Sequence, residues 1–161
     1  MDDGDLTALV QALGAVCERR GFTVATAESC TGGGVASAIT DLPGVSSFFL
    51  GGIVSYANEV KHELLAVSED VLAQHGAVSE ETARAMAAGV RARIGADVGI
   101  STTGIAGPGG ETPTKPVGLV YIAAATPDRT LVRRDVWPGD RNAVRAASVK
   151  AALELTLQAL E

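Results

Sequence analysis

Short β-favouring runs alternate along this chain with longer stretches whose apolar residues recur at helical spacing, and each run breaks off in glycine or hydroxyl residues. No other feature restricts the possible folds as much, because alternation of this kind builds a sheet covered by helices. Leu6, Leu9, Val10, Leu13, Val16 and Cys17 make the first helical stripe, which stops at Gly21 after Arg19 and Arg20; the two cations suit the negative end of a helix dipole. Residues 23–27 (Thr-Val-Ala-Thr-Ala) form the first strand, running into a turn where Ser29 and Thr31 are suitable caps for a helix through Val35, Ile39 and Thr40. After Pro43-Gly44, residues 48–50 and 53–56 read as one extended segment interrupted at Gly51-Gly52, where a bulge or close packing is expected. Asn58 caps a short helix, Ser68 opens another that ends near Gly76, and Ser79 caps a longer one reaching Gly95. Residues 97–101 are the next strand, residues 118–123 and 130–136 form a hairpin around Pro127-Asp128-Arg129, and a final helix runs from Asn142 to Leu160.

This order predicts an α/β chain: a three-layer α/β/α sandwich with a mostly parallel mixed sheet and an antiparallel edge hairpin. At 161 residues, 47% of them hydrophobic, the chain supports one core, so a single domain over 1–161 is expected. A formal charge of -6 and 4% aromatic residues leave neither a basic stripe for phosphate backbones nor stacking platforms for bases, so nucleic acid is a poor partner. The acidic start, Met1-Asp2-Asp3-Gly4-Asp5, and the lack of an apolar run of about 18 residues point to a cytoplasmic protein without a membrane partner. Two cysteines, Cys17 and Cys30, do not make a disulfide framework. His62 and His75 fall in no metal-ligand spacing, and neither a metal nor a cofactor is expected.

In open α/β sheets ligands gather at the carboxyl ends of the strands, and the polar loops after Ala27, Tyr56 and Ser101 all fall there. The turn over residues 28–34 offers N–H groups at a helix start together with the Ser29 and Thr31 hydroxyls; that suits an anion, although simple capping explains it slightly better. Residues 102–116 form a glycine- and proline-rich loop whose backbone can approach a ligand closely, with Lys115 bringing a charge. It lacks the Gly-Lys-Ser/Thr ending of a P-loop and the spacing of a dinucleotide fingerprint. Lys61, in the first turn of its helix, is disfavoured as an ammonium by the helix dipole, and a neutral lysine is a competent general base for a serine such as Ser46. Tyr56 can donate a hydrogen bond or relay a proton between them. Each of the three also has a plainer role, as solvated lysine, amphipathic core edge and turn hydroxyl, and spacing alone favours those. Arg141 precedes the last helix, where a guanidinium can bind phosphate or form a surface pair with Asp140.

Seven ordered motifs carry a resemblance over nearly the whole chain: Ala27-Glu28-Ser29-Cys30-Thr31-Gly32-Gly33, Gly44-Val45-Ser46-Ser47, Val54-Ser55-Tyr56-Ala57-Asn58-Glu59-Val60-Lys61, His75-Gly76-Ala77-Val78-Ser79, Thr103-Gly104-Ile105-Ala106-Gly107-Pro108, Lys115-Pro116-Val117-Gly118 and Pro138-Gly139-Asp140-Arg141. Together they resemble the CinA C-terminal domain family. The resemblance implies a nicotinamide-nucleotide amidohydrolase that converts nicotinamide mononucleotide and water into nicotinic acid mononucleotide and ammonia. It implies Ser46 as nucleophile with Tyr56 and Lys61 as catalytic partners. Ser29, Thr31, Gly32, Asn58, Thr103, Gly104 and Arg141 would hold the nucleotide, Arg141 at the phosphate. Some relatives carry a large N-terminal domain that this chain lacks, so the stand-alone form is expected, as a homo-oligomer. The alternative is a catalytically silent module that binds a pyridine nucleotide or mediates interactions linked to competence or DNA damage. A small phosphatase is disfavoured, since no paired carboxylates for Mg²⁺ recur at a strand end.

Overall fold

Valine and isoleucine alternate with alanine or glycine along the central strands, so each strand has one bulky and one small face. The computed structural model describes residues 3–161, and the expectation drawn from Met1 and Asp2 lies outside them. The chain runs α1 (Asp3–Arg20), β1 (Val24–Glu28), α2 (Gly34–Thr40), a single 3-10 turn (Val45–Ser47), β2 (Phe49–Val54), α3 (Asn58–Leu65), α4 (Glu69–His75), α5 (Glu80–Ile94), β3 (Val98–Gly104), β4 (Leu119–Ala125), β5 (Thr130–Val136) and α6 (Arg141–Ala159). One sheet has the order β2-β1-β3-β4-β5. β1 is parallel to both β2 and β3, whereas β3 with β4 and β4 with β5 are antiparallel. The expected hairpin is β4–β5. The antiparallel part begins one strand earlier, because the chain between β3 and β4 is a loop without a helix to carry it back.

On the bulky face, Val24, Val98, Ile100, Val120 and Ile122 pack with Val10 and Leu13 of α1, Val35 and Ile39 of α2, and Val144 and Leu153 of α6. The other face presents Ala25 and Ala27 to Leu65, Met86 and Val90, and Ala123 and Ala125 to Ala83 and Ala87. Small residues there let α5 lie close: a Cβ on Gly99 would stand 2.1 Å from the Ala87 carbonyl oxygen, and one on Gly89 1.9 Å from that of Leu65. Gly89→Ala therefore forces α5 away from the end of α3. The expected cost is about 1–3 kcal/mol, read as a lower denaturation midpoint.

Both expectations for Gly51-Gly52 hold. The β1–β2 register passes from Val24↔Phe49 to Ala25↔Gly51, skipping Leu50, and a Cβ on Gly52 would meet Thr26 Oγ1 at 2.2 Å. Ser68 and Ser79 cap α4 and α5 as expected, accepting from the Val71 and Thr82 amides. Two other caps differ. Ala57, not Asn58, is the N-cap of α3. Gly33 is the N-cap of α2 and has no side chain, so neither Ser29 nor Thr31 serves there; the Glu28 carboxylate accepts from the Val35 and Ala36 amides at 2.9 and 2.8 Å instead. Among the described residues, no helix is long and apolar enough to cross a membrane.

Candidate active site

Since β1, β2 and β3 run parallel, the loops that follow them emerge on one side of the sheet, and a cleft of about 370 Å³ opens there. Ser29 enters it from the end of β1, Tyr56 and Lys61 from the β2–α3 connection, and Thr103 and Gly104 from the end of β3. Residues 105–110 line one wall, Ala77 and Val78 another, and Arg141 comes in from the start of α6.

Lys61 is 1% exposed. Its Nζ donates to the carbonyls of Ser55 at 2.7 Å and Tyr56 at 3.1 Å, and lies 3.2 Å from Ser29 Oγ. Burial lowers its pKa below the usual 10.5, opposed by the nearby Cys30. A carbonyl can only accept, so the two main-chain oxygens fix two N–H bonds and turn the third position of the nitrogen toward Ser29. In the neutral amine that position is the lone pair, and the Ser29 hydroxyl is the group able to donate to it. A serine beside a buried lysine whose pKa is lowered is the arrangement that nucleophilic catalysis without histidine requires. Cys30, next in the chain, is no rival: burial pushes its thiol up to about 12, so it stays protonated and a poor nucleophile.

The site brings together Ser29, Tyr56, Lys61, Thr103, Gly104 and Arg141, and leaves out four of the residues expected in it. Ser46 is exposed in the 3-10 turn that precedes β2. It therefore belongs to the opposite end of the strand from Lys61, which follows β2; a six-residue strand separates its two ends by roughly 20 Å. The structure therefore does not bring Ser46 to Lys61 as expected, and Ser29 stands beside the amine instead. Thr31 is buried with its hydroxyl turned inward, donating to Glu28 Oε2 at 2.6 Å and lying 2.7 Å from Thr102 Oγ1. Gly32 donates its N–H to the Ser29 carbonyl, shaping the turn without lining the cleft. Asn58 is exposed on a separate surface groove with Glu59, His62 and Leu72.

Three details qualify the residues that do converge. The Tyr56 carbonyl holds Lys61, while its side chain is 65% exposed at the mouth of the cleft. Thr103 Oγ1 donates to the Ala77 carbonyl at 2.6 Å, pinning the end of β3 to the opposite wall. Arg141 Nη1 donates to the Gly107 carbonyl at 2.8 Å and so braces the glycine loop. Lys115, expected to add charge to that loop, donates instead to the His75 carbonyl at the end of α4. Arg145 donates to the Thr31 carbonyl and supports the Ser29 turn from α6. At the start of α2 the Val35 and Ala36 amides are taken by Glu28, and within the turn the Gly34 amide donates to the Thr31 carbonyl. Among the described residues, no group of three or more histidine, cysteine or acidic side chains is placed to hold a metal ion.

Sheet, cleft and buried lysine define a mixed α/β domain with a serine–lysine pair at the carboxyl ends of its parallel strands. Comparison with known proteins places it more closely. The chain belongs to the CinA C-terminal domain family, whose model matches residues 6–160. It is 48% identical over 161 residues to a putative competence-damage inducible protein of Caldanaerobacter subterraneus, covering 100% of this chain and 38% of that protein. A CinA-like protein of Mycolicibacterium gilvum is 51% identical over 141 residues, 87% of this chain and 33% of its own length. The chain thus spans about a third of the length of these curated relatives. Among solved structures, a competence/damage inducible protein of Agrobacterium tumefaciens superposes with a TM-score of 0.92 at 39% identity, covering 97% of this chain and 95% of its own. A CinA superfamily protein of Escherichia coli gives 0.93 at 34%, with 99% and 93% covered.

Proposed function

We propose that the domain is an amidohydrolase acting on the carboxamide of nicotinamide mononucleotide, with Ser29 as nucleophile and Lys61 as general base. The observation that carries this reading is the buried Lys61 amine, held by two carbonyls and aimed at Ser29. The substrate rests on the family resemblance, and a cleft of nucleotide size with Arg141 on its wall is compatible with it. In the first half-reaction Lys61 takes the Ser29 proton as Oγ attacks the carboxamide carbon. The tetrahedral intermediate collapses as the Lys61 ammonium returns that proton to nitrogen, and ammonia leaves. Water, deprotonated by the same amine, then cleaves the acyl-enzyme ester to nicotinic acid mononucleotide and free Ser29. Backbone amides of the glycine loop that lines the cleft would serve as donors to the oxyanion, and the Tyr56 hydroxyl would assist the proton's passage to the leaving nitrogen.

Purified protein incubated with nicotinamide mononucleotide in the presence of a chelator should release ammonia. No release, together with a substrate-induced rise in melting temperature, would support the silent binding module instead. Tyr56→Phe separates the two parts of that residue, because the carbonyl that holds Lys61 stays and only the hydroxyl goes. About a 10²-fold fall in kcat with KM little changed is expected; unaltered turnover would remove the phenol from the mechanism.

A further inference from the structure

We infer that Glu28 is a positioning residue that sets the Ser29 hydroxyl against Lys61, an inference that rests on the serine–lysine reading of the cleft. Glu28 is 1% exposed, and burying a carboxylate is costly unless several donors compensate it. Three do: the Val35 amide and the Thr31 hydroxyl on Oε2, and the Ala36 amide on Oε1. The Thr31 hydrogen is committed to Glu28, so at the 2.7 Å contact the Thr102 hydroxyl must be the donor. The direction of the chain from Thr102 through Thr31 to Glu28 is fixed by the carboxylate, which can only accept.

That chain closes around Ser29. The Ser29 amide donates to the Thr102 carbonyl at 2.9 Å, and the Ser55 amide donates to the Glu28 carbonyl at 2.8 Å. Ser55 is in turn one of the two residues whose carbonyls hold Lys61. Glu28 therefore joins the nucleophile's turn, the start of α2, the end of β3 and the β2–α3 connection that leads to the base. A cap for α2 alone would need only a serine or aspartate at the N-cap, where the chain has Gly33. A carboxylate reaching from another element, at the cost of burial, ties the catalytic turn to the sheet. An amide in its place would turn an NH₂ toward an N–H or O–H donor and break one side of the clamp. Glu28 touches no reacting atom, so its loss should leave substrate affinity and the base's titration in place while misaligning the attack.

The test compares wild type with Glu28→Gln and with Thr102→Val, which keeps both α2 amide bonds and removes only the outer hydroxyl. Two readouts are taken at matched folded fraction: ammonia release from nicotinamide mononucleotide across pH, and the rate at which a fluorophosphonate labels Ser29, located by peptide mass spectrometry. In the labelling Oγ attacks phosphorus, fluoride leaves, and the serine proton passes to Lys61. For Glu28→Gln, kcat and the labelling rate are expected to fall together by about 10²-fold, the cost of misplacing a reacting atom by about an ångström. KM and the midpoint of the pH profile stay fixed, and Thr102→Val shows a smaller fall of the same kind. Labelling that slows in the variants while wild type releases no ammonia would support the positioning role and reject the substrate. A rise in KM with kcat intact, a shifted pH midpoint, labelling at wild-type rate in Glu28→Gln, or wild-type protein unlabelled at Ser29 would each overturn the inference.

Discussion

Ser29→Ala is expected to lower the kcat of ammonia release by about 10³-fold or more, and Ser46→Ala to leave it within about twofold of wild type. The two serines are alike in sequence, each in a turn with a glycine two or three residues away, but only Ser29 faces the Lys61 amine. Removing one hydroxyl from a residue 8% exposed in the cleft wall takes away the nucleophile and very little volume, so binding of the nucleotide persists. Steady-state kinetics with an ammonia assay, paired with a ligand-induced shift in Tm, separates the two effects. Equal loss in both variants would return Ser46 to the mechanism, and loss in Ser46→Ala alone would reject the Ser29–Lys61 pair.

Lys61→Met is expected to have an effect of similar size for a different reason. The thioether matches the length of the lysine stem and fills its buried slot, but it accepts no proton, so kcat falls by about 10³-fold. In the wild type the same group is expected to set the acid side of the pH profile. Only the neutral amine is a base, so kcat/KM is low where Lys61 is protonated and rises with pH through its lowered pKa. Folding stability carries the matching signature. Between the lowered folded value and the unfolded 10.5, the unfolded chain binds a proton that the folded chain does not. Stability of the wild type therefore increases with pH across that window and levels off above it, a slope absent from Lys61→Met. Denaturation midpoints of both proteins over a pH series measure the difference; parallel curves would mean that Lys61 keeps its ordinary pKa.

The gathering of loops after β1, β2 and β3 was legible from the alternation of strands and helices, and so were Lys61, Tyr56 and the glycine loop as its furniture. The choice of serine was not, because motif proximity treats the chain as a line. Ser46 is nearer to Lys61 along the chain than Ser29 is, yet β2 lies between Ser46 and Lys61, while Ser29 and Lys61 both follow strands that run the same way. The signal was available: within a parallel sheet, a residue after one strand meets residues after its neighbours, not residues before them. Glu28 was hidden for another reason. Capping rules look a few residues away, and its carboxylate serves amides seven and eight positions along, across a turn whose geometry no spacing rule describes. Asn58 failed more simply, by one residue at a helix start, where boundaries read from sequence are least certain.

Two of the three contacts on the Lys61 amine come from the main-chain oxygens of consecutive residues, Ser55 and Tyr56. Every amino acid supplies such an oxygen, so the aim of the amine is written in the bend of the chain and not in the identity of its neighbours. Changing the side chains at those two positions would leave the contacts that seat the base in place, so a saturation scan across them would report on the other tasks they perform. Anyone wishing to install this lysine in a different parallel sheet would have to copy a path of backbone, leaving the surrounding residues to be chosen afresh.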